Sequence, residues 1–209
     1  MNEFEQALQK TLGAAALAKI SQIRVGIAGA GGLGSNCAQF LARCGFRHFK
    51  IVDFDRVEHS NLNRQFFFLH QVGQVKVEAL KTNLLQINPS IKVDTLELKI
   101  EPANIGSLFE ECQAVVEALD GPRYKSLLVE SYLLSGKLLV AASGLAGWGN
   151  TDAIKIRQVK ENFYLVGDRV SEVQPHCPAM APGVVITAAK QADVVLSYFL
   201  GTAGEIIDR

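Results

Sequence analysis

The feature that most restricts how this chain can fold is residues 23–34, IRVGIAGAGGLG, taken together with the aspartate at position 53. Apolar side chains alternate at Ile23, Val25 and Ile27. The run then breaks into Gly29-Ala30-Gly31-Gly32-Leu33-Gly34, a G-x-G-x-x-G pattern. Leu33, Cys37, Leu41 and Cys44 follow as one helical stripe, closed by Gly45, a residue suited to a left-handed helix end. A second apolar run, Phe49-Lys50-Ile51-Val52, ends in Asp53, 19 positions beyond Gly34. Strand, tight turn, helix and strand in this order make a βαβ unit. Its glycines let the backbone approach phosphate, its helix N-terminus presents unbonded N–H groups, and its acid accepts from ribose hydroxyls. The glycines alone also occur in plain strand–turn–helix units; Asp53 at this distance favours a nucleotide.

Alternation continues down the chain. Residues 3–20 carry one apolar face (Phe4, Leu8, Leu12, Leu17, Ile20), read as an N-terminal helix over 1–20 or two pieces broken near Gly13. Helix signals resume at Gly73, with Val77, Leu80, Leu84 and Ile87 on one face and a stop at Asn88-Pro89. Residues 91–98 predict a third strand, 102–109 a short helix, and 114–119 a fourth strand ending at Asp120. Gly121-Pro122 opens a helix, and 138–142 is a fifth strand. Two runs, 152–158 and 162–166, read as antiparallel additions to the sheet. A crossover loop over 167–182 then leads to a C-terminal helix over 184–200. The expected architecture is one α/β domain over 1–209, a Rossmann-like doubly wound mixed sheet with a parallel core and antiparallel C-terminal edge strands.

Lys+Arg and Asp+Glu both count 21, so bulk electrostatics gives no reason to expect a nucleic-acid or membrane partner. No apolar run approaches bilayer-spanning length. The start, MNEFEQALQK, lacks the layout of a signal peptide. A cytoplasmic protein is expected. Cysteines at 37, 44, 112 and 177 include no C-x-x-C pair, so neither structural zinc nor a disulfide framework is expected.

Three stretches carry candidate chemistry. In a sheet of strand order 3-2-1-4, ligands lie outside the carboxyl ends of strands 1 and 4, where the chain leaves in opposite directions. That puts Asp120 across a crevice from the Gly-rich turn, where it either faces phosphate through Mg²⁺ or simply sits beside a helix start. Lys76 lies in the first turn of a helix, where a cation opposes the macrodipole unless an anion is near. A bound phosphate would supply one; a solvated lysine is the plainer use. Residues 54–65, followed by Phe66-Phe67-Phe68-Leu69, exceed the usual connection of about 2–6 residues. Such a loop suggests a functional segment, and it would bring Arg64 toward the same side.

The combination of Asp53-Phe54-Asp55, Ser60-Asn61-Leu62-Asn63-Arg64-Gln65 and Gly73-Gln74-Val75-Lys76-Val77-Glu78 resembles the signature of the ThiF/MoeB family, bacterial relatives of ubiquitin-activating enzymes. The short, zinc-free ThiF branch is the nearest in pattern, since its fourth strand ends in Asp and a run like residues 142–149 follows strand 5. The resemblance implies ATP-dependent adenylation of the C-terminal Gly-Gly carboxylate of a ubiquitin-like sulfur-carrier protein, for thiamine biosynthesis, by a homodimer with a possible sulfur-donor protein. It further implies that Gly29, Gly31, Gly32 and Gly34 line the phosphates and that Asp53 takes the ribose hydroxyls, with Asp55 beside it. Asn61, Arg64, Gln65 and Lys76 would surround the α-phosphate, and Asp120 would hold Mg²⁺. Where the family carries an arginine after strand 4, this chain has Lys125 in its place, or Arg123 does the job from a shifted position. Longer members carry an N-terminal arginine that crosses to the partner subunit; here none precedes Arg24. Cys177, beside His176, lies where some relatives carry a cysteine that joins the carrier or receives sulfur; an incidental loop thiol is the alternative. Two rival readings are an NAD-dependent dehydrogenase, which leaves Lys76 and the loop around Arg64 without a role, and a non-catalytic carrier-binding relative.

Overall fold

The structure, a computed structural model, describes residues 1–202; the last seven positions of the expected domain lie outside them. Two short helices open the chain, α1 (Glu3–Leu12) and α2 (Ala14–Ile20), divided at Gly13. The strands within the described residues are β1 (Arg24–Ala28), β2 (His48–Asp53), β3 (Lys92–Glu97), β4 (Ala114–Glu117), β5 (Leu138–Ala142), β6 (Lys155–Lys160) and β7 (Phe163–Gly167). They form one sheet in the order β3-β2-β1-β4-β5-β7-β6. From β3 to β7 every neighbouring pair is parallel, and only the β6–β7 hairpin is antiparallel.

The expected parallel core with an antiparallel pair at its C-terminal edge is present; the order of the two edge strands is the new detail. The hairpin turns back so that β7 lies beside β5 and runs parallel to it, leaving β6 outermost. Burial explains the choice. Val166 in β7 is fully buried, whereas β6 carries Lys155, Arg157 and Lys160 and is largely exposed. A charged strand tolerates the unpaired edge and also discourages further pairing there.

Helices α3 (Gly32–Cys44), α4 (Lys76–Ile87) and α7 (Ala181–Leu200) cover one face of the sheet. The one-turn α5 (Ile105–Leu108) and α6 (Pro122–Tyr132) cover part of the other. The stripe foreseen in α3 is in place: Leu33, Cys37 and Leu41 are buried, and Gly45 ends the helix with φ 110°. Helix α7 begins at Ala181, three residues earlier than expected. It is long and apolar enough to cross a membrane by length and composition alone, at a mean hydropathy of 1.3, although Lys190 and Asp193 interrupt it. Its buried side, including Val184, Ala188 and Val195, packs into the core beside α3.

Strand β4 ends at Glu117, where Ala28 is its partner in β1, so Asp120 stands three residues past the strand rather than at its end. The shift matters, because those residues form the far lip of the crevice.

Candidate active site

The turn between β1 and α3 is shaped by two close approaches. Gly29 has φ 97°, and a Cβ there would sit 2.6 Å from the Ala118 carbonyl oxygen. A Cβ on Gly34 would run into the Gly29 carbonyl oxygen. Any side chain at either position would push the turn open. Helix α3 then starts with no side-chain cap, so its first N–H groups are left for a ligand or water. Above Gly31 there is room: the nearest atom to a notional Cβ is Gln65 Nε2, 3.9 Å away.

Beside this turn lies a cavity of about 360 Å³, whose lining includes Gly29, Gly31, Asp53, Asp55, Lys76 and Asp120. Asp53 stands at the end of β2 and accepts from Ala30 N at 2.6 Å and Asp55 N at 2.8 Å. Burial pushes its carboxyl pKa up; those two N–H groups and the Lys76 ammonium oppose the shift. Lys76 is the first residue of α4 and is buried, with its Nζ 2.8 Å from Asp55 Oδ2. The anion that a lysine needs at this position is thus Asp55 in the ligand-free protein. Asp120 is exposed on the opposite wall, and among the described residues no ion pair engages it. Leu98, Ile100 and Tyr124 add an apolar portion to the lining.

The long loop approaches from the side. Arg64 runs its stem over Gly32, with Cγ 3.6 Å from that glycine's notional Cβ, while its guanidinium donates to Ser60 O and Asn63 Oδ1. Gln65 Oε1 is buried without a hydrogen-bond partner, an uncommon state for a core amide. Asn61 is turned the other way. Buried in the loop, it accepts from Glu58 N at 3.0 Å through Oδ1, so in this state it braces the loop instead of facing the cavity.

Asn61, Arg64 and Gln65 thus stand beside the cavity without lining it, and Lys125 and Cys177 are engaged elsewhere. Lys125 Nζ lies 3.0 and 3.1 Å from the two carboxylate oxygens of Glu117. Glu117 is fully buried, and burial pushes its carboxyl up against the pull of Lys125 and the N–H groups of Leu119 and Ala142. The lysine that occupies the arginine position is committed to that carboxylate. Arg123 is exposed on the first turn of α6. Cys177 lies beyond the carboxyl end of β5, its Sγ only 2.8 Å from a notional Cβ on Gly147, in a loop held by Gly147 N donating to Pro178 O. It does not line the cavity.

Sequence reasoning missed four polar side chains that hold this arrangement. Asn36 donates to both Gly32 O and Arg64 O, at 2.7 and 2.8 Å, and so fastens the loop to the start of α3. Asn83 donates to Phe66 O and exchanges hydrogen bonds with Gln71. Gln191, fully buried in α7, donates to Glu117 O. For Asn36, Asn83 and Gln191 a polar residue on the apolar face of its helix was the available signal, whereas Gln71 ends a three-residue turn and offered none; the partners were not visible.

Residues 4–208 match the ThiF family. The chain belongs to the ThiF family. Among curated relatives, the adenylyltransferase and sulfurtransferase UBA4 of Yarrowia lipolytica is 38% identical over 122 residues, 58% of this chain and 31% of that protein. The UBA4 of Candida glabrata is 30% identical over 156 residues, 74% of this chain and 36% of that protein. This ThiF-family chain therefore spans about a third of the length of those relatives. Among solved structures, the tRNA N6-threonylcarbamoyladenosine dehydratase TcdA of E. coli, in complex with AMP, superposes with a TM-score of 0.85 at 21% identity, covering 96% of this chain and 95% of that one. MccB of E. coli with ATP gives a TM-score of 0.73 at 22% identity over 95% of this chain and 64% of that one. Both share the fold.

Proposed function

We propose that this ThiF-family chain uses ATP to adenylate a carboxylate, that of the C-terminal Gly-Gly of a ubiquitin-like sulfur-carrier protein, releasing pyrophosphate. The proposal extends to a cytoplasmic homodimer acting in thiamine biosynthesis with a separate sulfur donor. The observation that carries it is the meeting, in one cavity, of the open Gly-rich turn, Asp53, the buried Lys76 and the exposed Asp120. Family membership, relatives named adenylyltransferases and fold neighbours solved with AMP or ATP support it. The hydride-transfer alternative gives Lys76 and its partner Asp55 nothing to do.

The chain's own groups suffice for most of the chemistry. The turn and the uncapped start of α3 meet phosphate oxygens with backbone N–H groups, and Asp53 accepts from the ribose hydroxyls. Arg64 and Lys76 oppose the charge that builds on the α-phosphate as a carboxylate oxygen bonds to phosphorus and the pyrophosphate bond breaks. The attacking carboxylate is already ionised at neutral pH, so no general base is required. Positioning and charge stabilisation account for the rate. Asp120 suits Mg²⁺, which is usually held by one or two carboxylates together with substrate phosphates; among the described residues no cluster of three His, Cys, Asp or Glu side chains offers a cage made of protein alone. When bound, that ion neutralises phosphate charge.

The test is ATP–pyrophosphate exchange with two candidate acceptors, a Gly-Gly-terminated carrier and a tRNA bearing N6-threonylcarbamoyladenosine. Exchange stimulated by the carrier, and lowered about 10²–10³-fold in a folded Asp120→Ala variant, is expected. Stimulation by the tRNA alone would move the acceptor to the nucleoside carboxylate, and exchange undiminished in Asp120→Ala would remove the metal assignment.

A further inference from the structure

Asp55 was expected among the nucleotide's direct contacts, yet the structure gives it another employment. Its carboxylate takes one N–H of the Lys76 ammonium at 2.8 Å, and its carbonyl accepts from Lys76 N at 2.9 Å. Its own N–H donates to Asp53 Oδ1. Its backbone is therefore fixed on both sides, which keeps the carboxylate within reach of Lys76. The lysine side chain is only 7% exposed, against 46% for Asp55. An ammonium has three N–H donors, and Asp55 is its one side-chain partner among the described residues. Two N–H groups remain for the cavity that Lys76 lines.

The other charged or titratable groups on that cavity are Asp53 from the end of β2, Lys99 from the β3–β4 connection, and Asp120 and Tyr124 from the far side. On α4 itself, Glu78 is turned to Thr95, accepting from its hydroxyl. Asp55 alone both pairs with Lys76 and is fixed to the ribose acid by a hydrogen bond.

Building on the adenylation reading, we infer that Asp55 is a positioning residue: it stays paired with Lys76 in the nucleotide complex, holding the ammonium on the phosphates, and does not itself touch nucleotide or metal. Through the Asp55 N–H to Asp53, it also couples the group that reads the ribose to the group that meets the phosphate.

The test is a double-mutant cycle on Asp55→Asn and Lys76→Met, read two ways. In the first, a non-hydrolysable ATP analogue with magnesium is titrated into each protein by calorimetry. Asp55→Asn should weaken binding about tenfold in the wild-type background and by less than about twofold in the Lys76→Met background, the non-additivity expected of residues acting as one unit. Losses that multiply would mean that Asp55 contacts the ligand directly, and tighter binding by Asp55→Asn would mean that it competes with phosphate; either overturns the inference. The second reading is the melting temperature of the same four proteins without ligand. Asp55→Asn should lower it in the wild-type background, where a buried ammonium loses its partner, and leave it nearly unchanged beside Lys76→Met. Equal drops in both backgrounds would also overturn the inference. If the wild-type protein fails to bind the analogue, the adenylation reading falls, and the ligand-free cycle still decides whether the pair acts as a unit.

Discussion

Replacing Lys125 by methionine isolates one carboxylate in the core. Glu117 is completely buried, whereas the Lys125 side chain that neutralises it is 24% exposed. Breaking a buried ion pair from one side costs about 3–5 kcal/mol. Glu117 keeps two N–H donors, from Leu119 at 2.7 Å and Ala142 at 3.3 Å, which brings the loss to the bottom of that range or just below it, about 2–3 kcal/mol. In a domain of this size that lowers Tm by roughly 4–12 °C. The loss should also depend on pH, with a determined sign. The carboxyl pKa in the native protein lies above the ordinary value of 4.5, so between the two values the native state holds a proton that the unfolded chain has released. Stability therefore falls as pH rises through that window. Lys125→Met raises the native value further and widens the window. The variant should lie closest to wild type at the acid end of that window, near pH 4.5, and well below it at pH 8, measured by thermal unfolding followed by circular dichroism. An equal deficit at both pH values, or none at either, would refute the assignment of Lys125 to Glu117 and reopen its role at the nucleotide.

Three further outcomes are expected. Gly29→Ala must take φ 97° with its methyl 2.6 Å from Ala118 O; about 1–3 kcal/mol of strain should appear in urea unfolding, with loss of ATP-analogue binding, and a variant binding normally would disprove the close-approach argument. Cys177→Ser should leave ATP–pyrophosphate exchange within about twofold of wild type, because the thiol does not line the cavity; a large fall in exchange would contradict that placement. Asn83→Ala removes the partner of buried Gln71 and the donor to Phe66 O, costing about 1–3 kcal/mol. Faster amide hydrogen exchange across residues 58–71 is the local sign to look for.

What could be read from the sequence was what is encoded within a few residues. The alternation at Ile23, Val25 and Ile27, the glycines after it, and the stripe from Leu33 to Leu41 specify β1, the turn and α3, because each depends on local periodicity and on φ. Strand β5 was legible for the same reason. The misses concern pairings across long separations. Nothing near residues 155–167 says which arm of their hairpin lies beside β5; that depends on how much apolar surface β5 leaves to be covered. Lys125 had the charge expected of its position, but its assignment depends on a carboxylate eight residues earlier having no route to solvent. Asn61 looked like a ligand and serves as a brace, since its amide is satisfied by Glu58 N before any nucleotide arrives.

Trp148, the chain's single tryptophan, is 68% exposed and adjoins Gly147, whose backbone is bonded to the loop that carries Cys177. Its emission therefore comes from one address. A protein tail laid across that loop should exclude water from the indole and shift its fluorescence to the blue. A blue shift on adding a Gly-Gly-terminated protein would report a tail on that loop, followed in a stopped-flow cell with no dye attached.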